Sequence, residues 1–194
     1  MKKAIALFEK QITGSMLFLQ NSKEDLVTID IHLSGFKPYS IHAIHIHEYG
    51  DTRESFNSFG EHFNPHQTNH GRCQDSIHHA GDLFNNLIAD QYGNFDYQFN
   101  TNELSLYDDI KNIIGRSVVI HQFEDDLGQM GVIQWNKLIS YKHMTSSQLR
   151  KLCISRDYHC KDLGEMITRL QDESLITGNS GSQIAYGIIV LCKS

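Results

Sequence analysis

Between residues 49 and 82 this chain shows neither the period of a helix nor that of a strand, and it is rich in Gly, Asn, Ser and His. A stretch of that length without regular structure fits inside a compact domain only when it is functional or tied down. The histidines suggest what ties it. Nine of the 12 in the chain fall between His32 and His79.

Around this stretch the sequence is β-like. Ala4 to Phe8, Met16 to Leu19, Val27 to Leu33 and Ile41 to Glu48 are short apolar or alternating runs. Thr13-Gly14-Ser15, Asn21 to Asp25 and Ser34 to Pro38 separate them as turns. Leu87 to Ala89 and Phe95 to Phe99 flank the turn Asp90-Gln91-Tyr92-Gly93-Asn94 as a hairpin. Val118 to Phe123 and Ile184 to Leu191 bring the total to about eight strands, which predicts an all-β sandwich or flattened barrel. Residues 129–176 read differently, as a helical insertion. Thr145-Ser146-Ser147-Gln148 resembles a capping box ahead of Leu149, Leu152 and Cys153. Asp162 to Leu170, with Leu163, Met166, Ile167 and Leu170 at helical spacing, predicts a second short amphipathic helix. The insertion is read as part of one domain spanning 1–194.

Charge and composition exclude several classes. Seventeen Lys+Arg against 23 Asp+Glu leave a formal charge of -6, which argues against nucleic acid as a partner. No apolar run reaches the roughly 18 residues of a membrane span, so no membrane association is expected. Ala4 to Phe8 after Lys2-Lys3 is too short for a secretory signal core. Cys73, Cys153, Cys160 and Cys192 are therefore read as reduced thiols in a cytoplasmic protein.

On a strand, residues i and i+2 share a face, so His45 and His47 can chelate one metal ion. The irregular stretch then supplies His62, His70 and His79, with Asp82 following. Three imidazoles and one carboxylate make a tetrahedral nitrogen–oxygen set suited to zinc. Gly50, Gly60, Gly71 and Gly81 provide turns between these donors. His121 follows Val118-Val119-Ile120 and can point toward His45 and His47. His32, His42, His66, His78, His143 and His159 fit no second set and read as ordinary polar residues.

His45-Ile46-His47-Glu48-Tyr49-Gly50-Asp51 resembles the copper-binding strand motif of the copper–zinc superoxide dismutases. Gly60 to Pro65, His70-Gly71 and His79-Ala80-Gly81-Asp82-Leu83 resemble that family's zinc loop. Ile114 to His121, Asp125 to Gly128 and Thr177 to Ser182 resemble its remaining signature blocks. The likeness covers residues 1–128 and 174–194. It implies an eight-stranded antiparallel Greek-key β-sandwich or flattened barrel with long metal-binding loops. It makes His45, His47, His62 and His121 the copper ligands, and His62, His70, His79 and Asp82 the zinc ligands. His62 would be a bridging imidazolate and catalytic group, and Asp125 would join a copper histidine to a zinc histidine. The implied activity is dismutation of superoxide to oxygen and hydrogen peroxide by copper redox cycling. Asp172, Glu173 and Thr177 match the channel rim, and Ile114, Gly115 and Leu191 match the apolar interface of a homodimer.

Three departures stand out. Phe56 and Tyr186 occupy the positions of the family's disulfide, which implies packing in its place and no need for a disulfide-oxidising copper chaperone. Gln183 replaces the arginine that attracts the anion. That loss lowers the expected rate and its dependence on ionic strength, unless Arg150, Lys151, Arg156 or Arg169 of the insertion compensates. Leu127 and Thr177 are 50 positions apart where the family has a short electrostatic loop, so the insertion is either a helical cap or a docking surface. Cys153 and Cys160 with His159 are free thiols, a metal site or a redox-responsive group. These departures also resemble divergent members carried by large DNA viruses, for which the location would be the host cytoplasm. Two rival functions stay open: a non-catalytic copper-binding relative, as a chaperone domain or decoy, and a partner-binding module that works through the insertion.

Overall fold

The computed structural model describes residues 1–107, 110–134 and 137–193. In chain order the strands are β1 (Lys2–Glu9), β2 (Thr13–Gln20), β3 (Val27–Ser34), β4 (Ile41–His47), β5 (Asn86–Ile88), β6 (Asn94–Thr101), β7 (Ser117–His121), β8 (Gly131–Gln134), β9 (Lys137–Ser140) and β10 (Gln183–Leu191). Eight of them form one nearly closed antiparallel barrel in the order β5-β4-β7-β10-β1-β2-β3-β6. The β3-to-β4 and β6-to-β7 connections each cross from one end of that order to the other, as a Greek key does. Alternation sets the faces: in β3 the side chains of Val27, Ile29, Ile31 and Leu33 are buried, while the residues between them turn outward. They meet Ala4, Ala6, Phe18, Ile44, Ile46, Val118, Ile120 and Ile189 in one barrel core.

The insertion corrects the expectation of helices alone. It opens with a hairpin, β8 against β9, in the register Val132↔Ile139. An apolar piece of four residues is too short for its period to separate strand from helix, which is why the sequence did not reveal it. Helix α1 (Ser146–Ser155) starts at the expected cap, with Gln148 N donating to Thr145 Oγ1. Helix α2 (Leu163–Thr177) runs past the expected end at Leu170. It stops only at Gly178, whose left-handed conformation (φ 62°) ends a helix at little cost. Leu149 and Cys153 of α1 pack on Met166 and Leu170 of α2 and on Tyr141 as a second apolar cluster. Much of the apolar surface of the two helices is buried in this cluster, while Leu163, expected on the apolar stripe, is exposed together with Ile154 and Ile176. Among the described residues no helix is long and apolar enough to cross a membrane.

Phe56 and Tyr186 do pack together. Their rings meet edge to face at 5.6 Å, and Phe59 adds a third ring 4.9 Å from Tyr186. This cluster fastens the irregular stretch to β10 without a covalent bond, and all four cysteines are free. Phe56→Ala is expected to cost about 1–3 kcal/mol, because Phe56 is only half-buried. Urea unfolding of the two proteins checks this, and an unchanged midpoint would show that the rings contribute nothing.

Candidate metal centre

Pleating sorts β4 into two sets. Ile44 and Ile46 enter the barrel, while His45 and His47 face outward beneath the loops and are still buried. Across the ladder β7 aligns Val119 with His45 and places His121 opposite Gln183 of β10. The stretch 49–82 is less irregular than its sequence suggests. Residues 59–63 double back along β4, with Glu48 N donating to Glu61 O, Tyr49 N to Phe59 O and Phe63 N to Ile46 O. This pairing sets His62 directly opposite His47. Farther along, His70 N donates to Leu175 O of α2, so the stretch is also pinned by the insertion.

Two groups of four buried donors result, each with its ligand atoms within 4.8 Å of one another: His45, His47, His62 and His121, and His62, His70, His79 and Asp82. His62 belongs to both. These are the two sets expected from the sequence, brought together residue for residue.

The ring nitrogens show which atoms would face a metal. His47 Nδ1 lies 2.9 Å from Gly60 O and His121 Nδ1 lies 3.1 Å from Gly181 O. A carbonyl only accepts, so both rings carry their proton on Nδ1 and present Nε2 lone pairs to each other at 3.3 Å. His45 gives its Nε2 proton to Asp125 Oδ2 at 2.9 Å, which leaves its buried Nδ1 without a partner. His62 Nε2 and His79 Nδ1 are likewise buried and unpartnered. Opposed or orphaned lone pairs in a buried site are costly unless a cation lies among them.

The second set converges on one oxygen. Asp82 Oδ1 lies 3.1 Å from His62 Nδ1, 2.9 Å from His70 Nδ1 and 3.4 Å from His79 Nδ1. Zinc bonds of about 2.0–2.2 Å would set tetrahedral donors about 3.3–3.6 Å apart, close to this spacing. The other oxygen, Oδ2, accepts His79 N at 2.7 Å, which turns Oδ1 toward the rings. Imidazole nitrogens suit copper and zinc alike, and three imidazoles with one carboxylate suit zinc, so the donor chemistry of the two sets fits both ions.

Asp125 joins the sets. Its Oδ2 takes His45 Nε2 and its Oδ1 takes His70 Nε2 at 2.8 Å, while Asn85 Nδ2 and Leu127 N complete its shell. Burial works to raise its pKa, but the His70 charge and the hydrogen bonds from His45 and His70 outweigh it and hold the carboxyl far below the usual range. Asp82 is held low in the same way by His70 and the three rings around it. A Cβ on Gly178 would come within 2.1 Å of Asp125 Oδ1, so the glycine that ends α2 also makes room for this bond.

Burial lowers the pKa of His62 and His121 well below 6.5, and His45 lowers both further. Burial likewise takes His47 down to about 4. Buried His70 moves the opposite way because Asp125 and Asp82 face it. For His47, His62 and His121 the folded pKa lies below the unfolded one. Their contribution to stability is complete above about pH 6.5 and is lost as pH falls through each folded pKa, which for His47 lies at about 4 and makes its share roughly 3 kcal/mol. His70 acts in the opposite sense, favouring the folded chain at low pH. Metal-free protein is expected to lose stability as pH falls below about 6.5, where the His70 contribution is already complete and no longer changes. Unfolding midpoints measured at pH 7, 6, 5 and 4 check this, and a flat series would contradict it.

Several supports carried no sequence signal. His42, read as an ordinary polar residue, binds His121 O through Nδ1 at 2.8 Å and steadies the end of β7. Asn85 and Asn86 hold Asp125 from both sides. Asp126 binds none of the donor histidines and accepts Tyr141 Oη, Ser174 Oγ and Asn179 Nδ2, tying the insertion to the loop that carries Asp125. Burial raises its pKa despite these bonds.

A cavity of about 300 Å³ opens over His47, His62 and His121. Gln183, Glu173 and Thr177 line it as expected. Asp172 does not: it is exposed and lines a separate depression with Cys160 and Arg169, because the helical turn sends residues 172 and 173 in different directions. Cys153 and Cys160 lie 3.9 Å apart, His159 is exposed, and these three form no metal group among the described residues.

A family model described as copper/zinc superoxide dismutase matches residues 12–147. A provisionally named Cu-Zn superoxide dismutase of Autographa californica nuclear polyhedrosis virus is 33% identical over 191 residues, covering 98% of this chain and 99% of that protein. The copper chaperone for superoxide dismutase of Mus musculus is 40% identical over 130 residues, 66% of this chain and 45% of that protein. A crystal structure of the clock protein EA4 superposes with a TM-score of 0.71 at 27% identity, covering 98% of this chain and 94% of that one. The chain belongs to the copper/zinc superoxide dismutase family.

Proposed function

We propose that this protein dismutates superoxide, turning two superoxide anions and two protons into oxygen and hydrogen peroxide. The observation that carries the reading is His62, one buried ring whose Nδ1 lies against Asp82 and whose unpartnered Nε2 faces the other donor set. When bound, copper supplies one-electron exchange with superoxide, and zinc supplies a redox-inert anchor for the shared ring. The rest falls to the protein. Asp82 and the zinc-side histidines fix the His62 ring, so that its Nε2 can take up and release a proton without the ring moving. In the metal-free chain burial disfavours a positively charged His62 ring, and its Nε2 is left without a proton donor or acceptor of its own. Asp125 orients one ring of each set, and the cavity admits a small anion to His62 and His121.

A second reading has specific support: the likeness to a copper chaperone, together with Gln183 in place of arginine, favours a non-catalytic copper-binding relative. The presence of all four first-set donors, buried and facing one another, favours the enzyme. Purified protein loaded with both ions separates the two. The enzyme accelerates superoxide decay in pulse radiolysis, and the relative binds copper without doing so. Partly exposed Ile114 and exposed Leu191 support a homodimer, which sedimentation checks.

A further inference from the structure

Of the four insertion cations named from the sequence, Arg156 lines the cavity over His47, His62 and His121. Arg150 and Lys151 are exposed elsewhere, and Arg169 pairs with Glu173 at 2.8 Å. Arg156 is 8% exposed, its guanidinium stacks 4.6 Å from the centre of the Phe123 ring, its Nε donates to Asn179 O at 2.7 Å and its Nη1 donates to Ser155 Oγ at 3.3 Å. It makes no ion pair among the described residues. A buried guanidinium without a carboxylate is costly to keep, and a fixed one keeps its remaining donors oriented. Two further polar groups in the same cavity are buried and unpartnered: Ser180 Oγ, on a residue 1% exposed, and the amide oxygen of Gln183. An amide can turn to present its NH₂ instead. The cavity's two carboxylates compete little, since Glu173 is held by Arg169 and Glu61 is exposed to water.

We propose that Arg156, with Ser180 and Gln183, forms a binding site for a small monoanion, built by the insertion to replace the missing cation at position 183. Its ligand class is superoxide and anions of similar size, such as azide. The identification with superoxide rests on the proposed dismutase reading, but the anion site does not. An arginine held here by the backbone and an aromatic ring would also explain why the chain tolerates Gln183.

The test is azide titration of the copper- and zinc-loaded protein, followed by the azide-to-copper absorption band. Metal content and melting temperature are measured on the same samples. Arg156→Gln is expected to weaken azide binding about tenfold or more, the worth of one charge-assisted hydrogen bond. Arg156→Lys should keep more of the affinity than Arg156→Gln, and adding Gln183→Arg to Arg156→Gln should restore it. Unchanged affinity in a folded, metal-loaded Arg156→Gln protein would overturn the proposal. Should that variant not fold, unmutated zinc-only protein labelled at arginine nitrogens serves instead. One arginine Nε signal, absent in Arg156→Lys, should shift on titration with azide, and no shift would overturn the proposal. The two readings fail separately. Superoxide removal with azide affinity indifferent to Arg156 defeats the anion site alone. Arg156-dependent azide binding without superoxide removal defeats the dismutase reading alone.

Discussion

His62→Ala is expected to weaken zinc binding by more than about 100-fold and to abolish superoxide removal, while His121→Ala weakens copper alone. The asymmetry follows from membership. His62 has Nδ1 3.1 Å from Asp82 Oδ1 on one side and an unpartnered Nε2 on the other, and its ligand atoms fall within both donor groups. His121 presents only Nε2, toward His47, because its Nδ1 is held by Gly181 O. Removing His62 therefore takes one donor from each set, and removing His121 takes one from the first set only. Separate zinc and copper competition titrations on both variants decide the matter. Equal, copper-only losses in the two would show that His62 is not shared.

Asp125→Ala carries the second large effect. Its buried carboxylate accepts from His45, His70, Asn85 and Leu127. Without it His45 and His70 lose the contacts that fix their rings, and in the metal-free chain a buried His70 loses a counter-charge. The expected cost is roughly 3–5 kcal/mol of metal-free stability. Metal affinity should fall by about 10–100-fold for each ion, although Asp125 is in neither set of four donors. Asp125→Asn keeps the shape but offers a donor where one ring nitrogen also donates, so it should lose less stability and nearly as much affinity. Unfolding curves and metal competition for both variants check this. A pair of variants with native zinc affinity would remove Asp125 from the account.

The barrel was legible because its strands are long enough to alternate: Val27 to Leu33 buries every second residue as written. The donors were legible because chelation needs particular residue types, and few other roles would gather His45, His47, His62, His70, His79, His121 and Asp82. What stayed hidden was held by tertiary contacts rather than by pattern. Asp125 and Asp126 are neighbours of one type, yet the first turns to the metal histidines and the second to Tyr141, Ser174 and Asn179 of the insertion region. The family resemblance assigns Asp125 its side, and nothing in the sequence assigns Asp126 its own. The β8–β9 hairpin is too short to show a period, and α2 runs past Leu170 because its stop is the glycine that also clears Asp125. Four insertion cations could be named from the sequence, but only the fold, which seats Arg156 over the Phe123 ring and in the cavity wall, singles it out.

The most direct test is to offer zinc and copper together to metal-free protein and to count the bound ions by native mass spectrometry. Superoxide decay is then followed in the same sample. One copper and one zinc per chain, with decay accelerated over the buffer, is the predicted result. Zinc alone in the protein, with superoxide disappearing at its spontaneous rate, would contradict the claim that one imidazole serves both ions.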